Sequence, residues 1–491
     1  MKHLISGAIK LTAASVLIMS LVACGGADER KIKYLEKGKA YLLEKNYDKA
    51  RIEIKNVLQI DPKFAEAYYL MGQLEEKKKQ LSKSLSSYKK AIELDPSHIK
   101  AKVALAKIYV IAGTEDYINK AKNLLADAKK VQPVYSEADL ILATIEYKIG
   151  SKDKAIKGLE VIVKSDTKLV DGVSLLSTVY LAAGRESEAI AVLTNGISNN
   201  LNNIPLRISL AKLLAKNNEL AGAEKILKEA VNIEPERYSL QVALASFYAS
   251  SNQVDKAESV LRKSIEQDDE DPSRYLVLVE MLVSKVGIKE ASHELEQAIK
   301  NKPDLFELKF SQVEFYIKTG GREKAKDILK QIINKKAYDV EGVNARLKLA
   351  SMLLDEGNKQ GAKKYVGEVI AEYPNNIDGL LISSKLALFD MDAITAINGL
   401  RTVVKNDPKS PEASLLLAQA YELNKESELA ENQLKKSIEA NPTNDQVHVN
   451  YARYLASKGR IEESVSVVDK ALTYFKDSYN LMDIKLRIIA Y

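Results

Sequence analysis

Four histidines, one cysteine and one run of acids are the residues of this 491-residue chain whose chemistry could go beyond surface solvation. His3, His98, His293 and His448 lie far apart in sequence. His293-Glu294 opens the zinc-hydrolase pattern, in which a second histidine one helical turn on completes the ligand pair. Gln297 stands at that place, so the pair is incomplete. Asp268-Asp269-Glu270-Asp271 concentrates carboxylates, but it lacks the alternating oxygen ligands and central glycine of a calcium loop and reads as a solvated loop. No glycine-rich phosphate loop, nucleophile elbow or Cys-His metal spacing occurs. The expectation is a chain that is not an enzyme, with no catalytic residue, no metal site and no cofactor.

Cys24 is the only cysteine, which excludes an internal disulfide. It follows a leader with Lys2 and Lys10, then the uncharged stretch Leu11 to Ala23, thirteen residues long. That is shorter than the roughly 20 apolar residues of a spanning helix and suits a signal-peptide core. The stretch ends Leu21-Val22-Ala23-Cys24, which resembles the lipobox of bacterial lipoproteins. The resemblance implies cleavage after Ala23 and lipidation of Cys24, with a diacylglycerol thioether plus an N-acyl group. More than one acyl chain is what stable anchoring requires. In that family an Asp after the cysteine retains the protein on the inner membrane. Gly25 stands there instead, which implies the periplasmic face of the outer membrane, or, in a cell with a single membrane, an anchor facing outward from that one. Residues 1–23 are then a signal peptide and 24–30 a lipidated tether containing Gly25-Gly26-Ala27.

The rest of the chain must be read through its spacing. Pro62 and Pro96 are 34 residues apart, as are Pro374 and Pro408, and Pro408 and Pro442. Pro133 and Pro235 are separated by 102, three times that period. Aligned on the prolines, a small-residue column holds Gly38, Gly72, Ala106, Ala143, Ala211, Ala245, Ala350, Ala418 and Ala452. Three residues later stand Tyr41, Tyr109, Tyr180, Tyr248, Tyr316 and Tyr421. A second small column runs Ala50, Ala121, Ala155, Ala189, Ala223, Ala257, Ala291, Ala325, Ala362, Ala396 and Ala430. Each unit reads as two short helices joined by a tight turn, such as Ala183-Gly184-Arg185, where glycine supplies left-handed backbone. Asp61-Pro62, Asp95-Pro96, Asp407-Pro408 and Asn441-Pro442 stop the second helix.

These columns resemble the tetratricopeptide repeat (TPR) from about Asp28 to Tyr491. The resemblance implies an all-α, right-handed α-solenoid of about thirteen helix-turn-helix repeats plus a C-terminal half repeat. No repeat buries its face alone, so stability comes from stacking neighbours. Extra residues at Gln267 to Asp271 predict a bend near 268–273, between an N-terminal array over 31–272 and a C-terminal array over 273–491. The last stretch, 479–491, is a first helix with no second helix after it, and it is apolar. Either another chain covers it, as in a homo-oligomer, or the sequence is a piece of a longer protein.

In this family the first helix of each repeat lines a concave surface. Its fifth-residue column holds Leu35, Tyr69, Val103, Leu140, Ile208, Val242, Phe310, Leu347, Leu381, Leu415 and Val449. The ninth-residue column is polar, with Lys39, Gln73, Lys107, Thr144, Lys212, Glu314, Lys385, Gln419 and Arg453. An apolar stripe with a polar edge suits a peptide laid in a groove, or else the stripe packs against neighbouring repeats. The Lys and Asn of the chaperone-tail clamp are missing from the apolar column.

After loss of the leader, 71 basic residues face 67 acidic ones. Without a basic stripe interleaved with aromatics, nucleic acid is not an expected partner. The partners expected are proteins or peptides of the cell envelope. The segment Lys49 to Pro62 resembles the opening of repeat lipoproteins that accompany PEP-CTERM protein sorting and exopolysaccharide export. The reading is a membrane-anchored scaffold, with an accessory subunit of an envelope enzyme such as a peptidoglycan hydrolase as the alternative.

Overall fold

The computed structural model describes residues 26–475 and 477–489. They form 27 helices and no strand, which is thirteen pairs and one helix more. In each pair the first helix is called A and the second B. The expected signal peptide, Ala23 and Cys24 lie outside the described residues, as do Ala490 and Tyr491. The first A helix spans 26–43. Residues 26–30, expected in the tether, are therefore helical. Asp28 and Glu29 sit in its first turn, where the helix dipole favours negative charge. Lys31 holds that turn down, pairing with Asp28 at 2.9 Å and with Asp61 at 3.1 Å.

The proline columns act as the sequence predicts. Asp61, Asp95, Asp407 and Asn441 end B helices in non-helical backbone, with φ between −136° and −127°. Gly287, in the turn after the helix Pro272–Lys285, lies at φ of 154° and ψ of 164°, but most A–B turns use left-handed backbone. Glycine supplies it at Gly113, Gly150, Gly184, Gly320, Gly357 and Gly459. Lys45, Lys79, Asn218, Met391 and Lys425 adopt it at φ of 59° to 61°, although side chains other than Gly disfavour that region. The turn geometry is thus imposed by docking of the two helices and not by glycine alone.

The small columns are where the helices meet. All eleven alanines of the second column are 0% exposed, so any larger side chain there would have to displace a neighbouring helix. On the first column, the buried Ser84 hydroxyl donates to the Gly72 carbonyl at 2.9 Å, and Ser464 does the same to Ala452 at 2.6 Å. A Cβ on Gly72 would lie 2.5 Å from the buried Tyr88 ring.

The chain divides into two compact units, one ending at Ser251 and one starting at Asn252. Within each, an A helix packs on its B helix and the B helix on the next A. A helices also touch their successors, as Ile99–Ala112 touches Ser136–Lys148 in the first unit and Val340–Asp355 touches Ile377–Phe389 in the second. Among the described residues no two B helices pack as closely, so the A layer forms the inner face of each unit.

The acidic stretch after the helix Val254–Gln267 is absorbed in a capped turn. Asp271 accepts from the Ser273 amide at 2.9 Å and begins the next helix. Lys302 pairs with Asp269 at 2.6 Å and with Glu270 at 2.7 Å. These two carboxylates bind a neighbouring hairpin's lysine.

Candidate interaction surface

The inner face of each unit is built from A helices, and the two sequence columns sit on it differently. Leu35, Val103, Leu347 and Val449 are buried, and the other seven residues of the apolar column are half-buried. Several bridge hairpins: Tyr69 packs against two successive core clusters, and Leu381 and Leu415 pack against one centred on Leu400 and Leu417. Phe310 lies against the core around Leu329, and Ile208 against Ile204 and Leu240. Much of this stripe therefore serves the stacking of repeats.

The polar column is the accessible one. Lys107, Lys212, Glu314, Gln419 and Arg453 are exposed; Lys39, Gln73, Thr144 and Lys385 are half-buried. Part of the column is tied into a ladder running across repeats. Lys39 reaches Glu66 at 3.5 Å, Lys107 reaches Glu76 at 3.5 Å, Lys348 reaches Glu314 at 2.6 Å and Lys385 reaches Glu412 at 2.6 Å. Such pairs between exposed groups contribute only about 0–1 kcal/mol each. They are readily exchanged for pairs with a charged or polar ligand.

His98 caps the helix Ile99–Ala112, its Nδ1 accepting from the Ala101 amide at 3.2 Å, and its Nε2 lies 3.1 Å from Glu66. A neutral ring satisfies both contacts when Nε2 carries the proton. The contact with His98, followed by Lys39, holds the Glu66 carboxyl below its usual range. An open cleft of about 560 Å³ adjoins them, lined by Phe64, Asp95, Lys100 and Tyr135 among others. His448 packs on Phe475, and burial pushes its titration down. Among the described residues no three His, Cys, Asp or Glu side chains group as metal ligands.

Sequence reasoning located the tyrosine column but not its partners. Tyr180, Tyr248 and Tyr316 donate to Glu160, Glu224 and Glu296 on the preceding B helix, at 2.6, 2.9 and 3.0 Å. Tyr421 accepts from Arg401 at 3.0 Å. Burial, then the Glu160 carboxylate, pushes the Tyr180 phenol up to about 12. Two of the glutamates lie 20 residues before their tyrosine, which was the available signal.

A related clamp closes the last full hairpin. Glu431 accepts from Tyr451 at 2.9 Å and from Arg460 at 2.6 Å, with Lys435 at 2.7 Å. Arg460, then Lys435, holds the Glu431 carboxyl down at about 2. A depressed carboxyl adds stability that is complete above its unfolded value and lost as pH falls through its folded one. Glu431→Gln is expected to lower stability at pH 7 by about 1 kcal/mol, discounted for solvent screening. Denaturant melts should show that difference closing between about pH 4.5 and pH 2. A difference independent of pH would contradict the clamp.

Tetratricopeptide repeat families match residues 34–64, 65–98, 344–376 and 395–445, so the repeat is found in both units. The ChAPs family, described as Chs5p-Arf1p-binding proteins, matches 114–264. The chain is an all-α TPR solenoid. Among solved structures, Naa15/Naa10 bound to HypK-THB aligns at TM-score 0.43 and 14% identity, over 89% of this chain and 68% of that one. A thermophilic TPR protein of Thermus thermophilus aligns at TM-score 0.35 and 23% identity, over 38% of this chain and 99% of that one. PilF of Pseudomonas aeruginosa aligns at TM-score 0.33 and 16% identity, over 53% of this chain and 100% of that one. No curated protein matches in sequence.

Proposed function

We propose that this chain is a non-enzymatic scaffold, tethered through lipid on Cys24 to the periplasmic face of the outer membrane, that holds envelope proteins along its A-helix face. The observation that carries the binding role is the A-helix face of each unit. It offers half-buried apolar side chains such as Leu140, Phe310 and Leu415, flanked by exposed polar ones such as Lys212 and Gln419. That combination suits an extended or helical peptide, whose apolar anchors reach the stripe while its polar groups exchange with the ion-pair ladder. The tether rests on the lipobox-like Leu21-Val22-Ala23-Cys24 and on Gly25. The link to exopolysaccharide export or PEP-CTERM protein sorting rests on the opening segment Lys49 to Pro62 alone. Crosslinking in cells from Lys212 and Gln419 tests the scaffold role: both positions should capture the same envelope protein, and capture of none would overturn it.

A further inference from the structure

Only Gly25 lies between Cys24 and Gly26, where the first helix, 26–43, begins. Two residues span at most ~7 Å even when fully extended. The headgroup layer of a bilayer leaflet is itself about 5–8 Å deep. A lipid on Cys24 would therefore hold the first turn of this helix among the headgroups, with no spacer to carry it away.

The repeat shows which side of the helix is free to meet them. Lys33, Lys37 and Ala40 are exposed. The residues 34 further on, Ala67, Met71 and Leu74, are buried in a core with Ile54 and Val57 of the preceding B helix, Tyr47–Ile60. That side of an A helix is thus the one on which a preceding hairpin packs. Among the described residues no hairpin precedes 26–43, so here the same side is the open end of the first unit. A flat surface can come flush against it without meeting another helix. Arg30, Lys33 and Lys37, spaced three and four residues apart, form one stripe along it. None of the three pairs with a carboxylate among the described residues. Of the nearby acids, Asp28 is held by Lys31 at 2.9 Å and Glu36 by Lys39 at 3.2 Å, while Glu29 and Glu44 lie at the two ends of the helix.

We propose that the first helix lies flat on the bilayer through this side, with Arg30, Lys33 and Lys37 on lipid phosphates. Basic side chains held at a phospholipid surface are attracted to its anionic headgroups. The inference rests on the lipid at Cys24 proposed above. Ala40 reports the orientation. It stands fourteen residues after Gly26, so an upright helix would lift it about 21 Å beyond its first turn, whereas a flat one keeps it at the surface.

The test uses the acylated protein purified from membranes and placed in phosphatidylcholine vesicles containing phosphatidylglycerol. A fluorophore is attached at Ala40→Cys or, in the fourth repeat, at Val161→Cys. With Cys24 acylated, the introduced cysteine is the only free thiol. Both positions are exposed, so melting curves should not move. Lipids spin-labelled at the headgroup should quench the label at Ala40→Cys and not at Val161→Cys. Ten Gly and Ser residues inserted after Gly25 add about 17 Å of reach and let the helix leave the surface. In that lengthened chain the Ala40→Cys label should stay quenched, and Lys33→Glu with Lys37→Glu should abolish the quenching. The mass of the peptide beginning at Cys24 separates the two ways of failing. An unmodified Cys24 would overturn the anchor and this proposal with it. A lipidated Cys24 with an unquenched Ala40→Cys label, equal quenching at Val161→Cys, or a lengthened chain indifferent to the two lysine reversals would each overturn this proposal and leave the anchor standing.

Discussion

Gly342→Ala is expected to destabilise the second unit by about 3 kcal/mol, at the upper end of what one added methyl costs in a packed site. Gly342 lies in the first turn of the helix Val340–Asp355. A Cβ there would stand 2.3 Å from the Ala337 carbonyl oxygen and 2.4 Å from that of Lys336. Both are main-chain atoms, so no rotamer change relieves the clash. The turn is already committed: Ala337 has φ of +28°, and the Arg346 guanidinium donates to its carbonyl while also bonding Glu368 at 2.9 Å. Gly367, exposed within the helix Lys359–Glu372, supplies the control, because nothing lies within 4 Å of its added Cβ. Gly367→Ala should stabilise by about 0.5–1 kcal/mol through helix propensity and lost unfolded-state freedom. Denaturant melts, with hydrogen exchange to assign the change to the second unit, check the pair. Equal effects of the two substitutions would contradict the geometry.

Cys24→Ser should move the protein from the membrane fraction to the soluble fraction almost completely. Each buried methylene contributes about 0.8 kcal/mol, and the proposed anchor carries several acyl chains. Among the described residues no helix is long and apolar enough to cross a membrane. The measurement is fractionation of cells producing either form, with mass spectrometry of the peptide beginning at Cys24. A variant that stays with membranes, or an unmodified thiol in the native protein, would contradict the tether.

The architecture was legible in the sequence because steric requirements leave columns. Asp-Pro pairs mark where B helices must stop, and alanines 0% exposed mark where helices touch. What stayed hidden depends on neighbours far along the chain. Lys79 and Met391 give no sign of left-handed backbone, because helix docking imposes it. Arg346 reads as an ordinary surface cation, yet it is buried and binds a carbonyl nine residues back. The apolar column was visible, but how much of it serves packing was not, since Tyr69 is covered by two successive clusters at once.

The scaffold role is tested most directly by photo-crosslinking in living cells from two faces. Lys212 and Gln419 report on the A-helix face; Ile52 and Val161, exposed on B helices, report on the outer one. The account predicts that one discrete envelope protein is captured from both inner positions and from neither outer one. Capture from Ile52 or Val161 with none from Lys212 or Gln419 would contradict it.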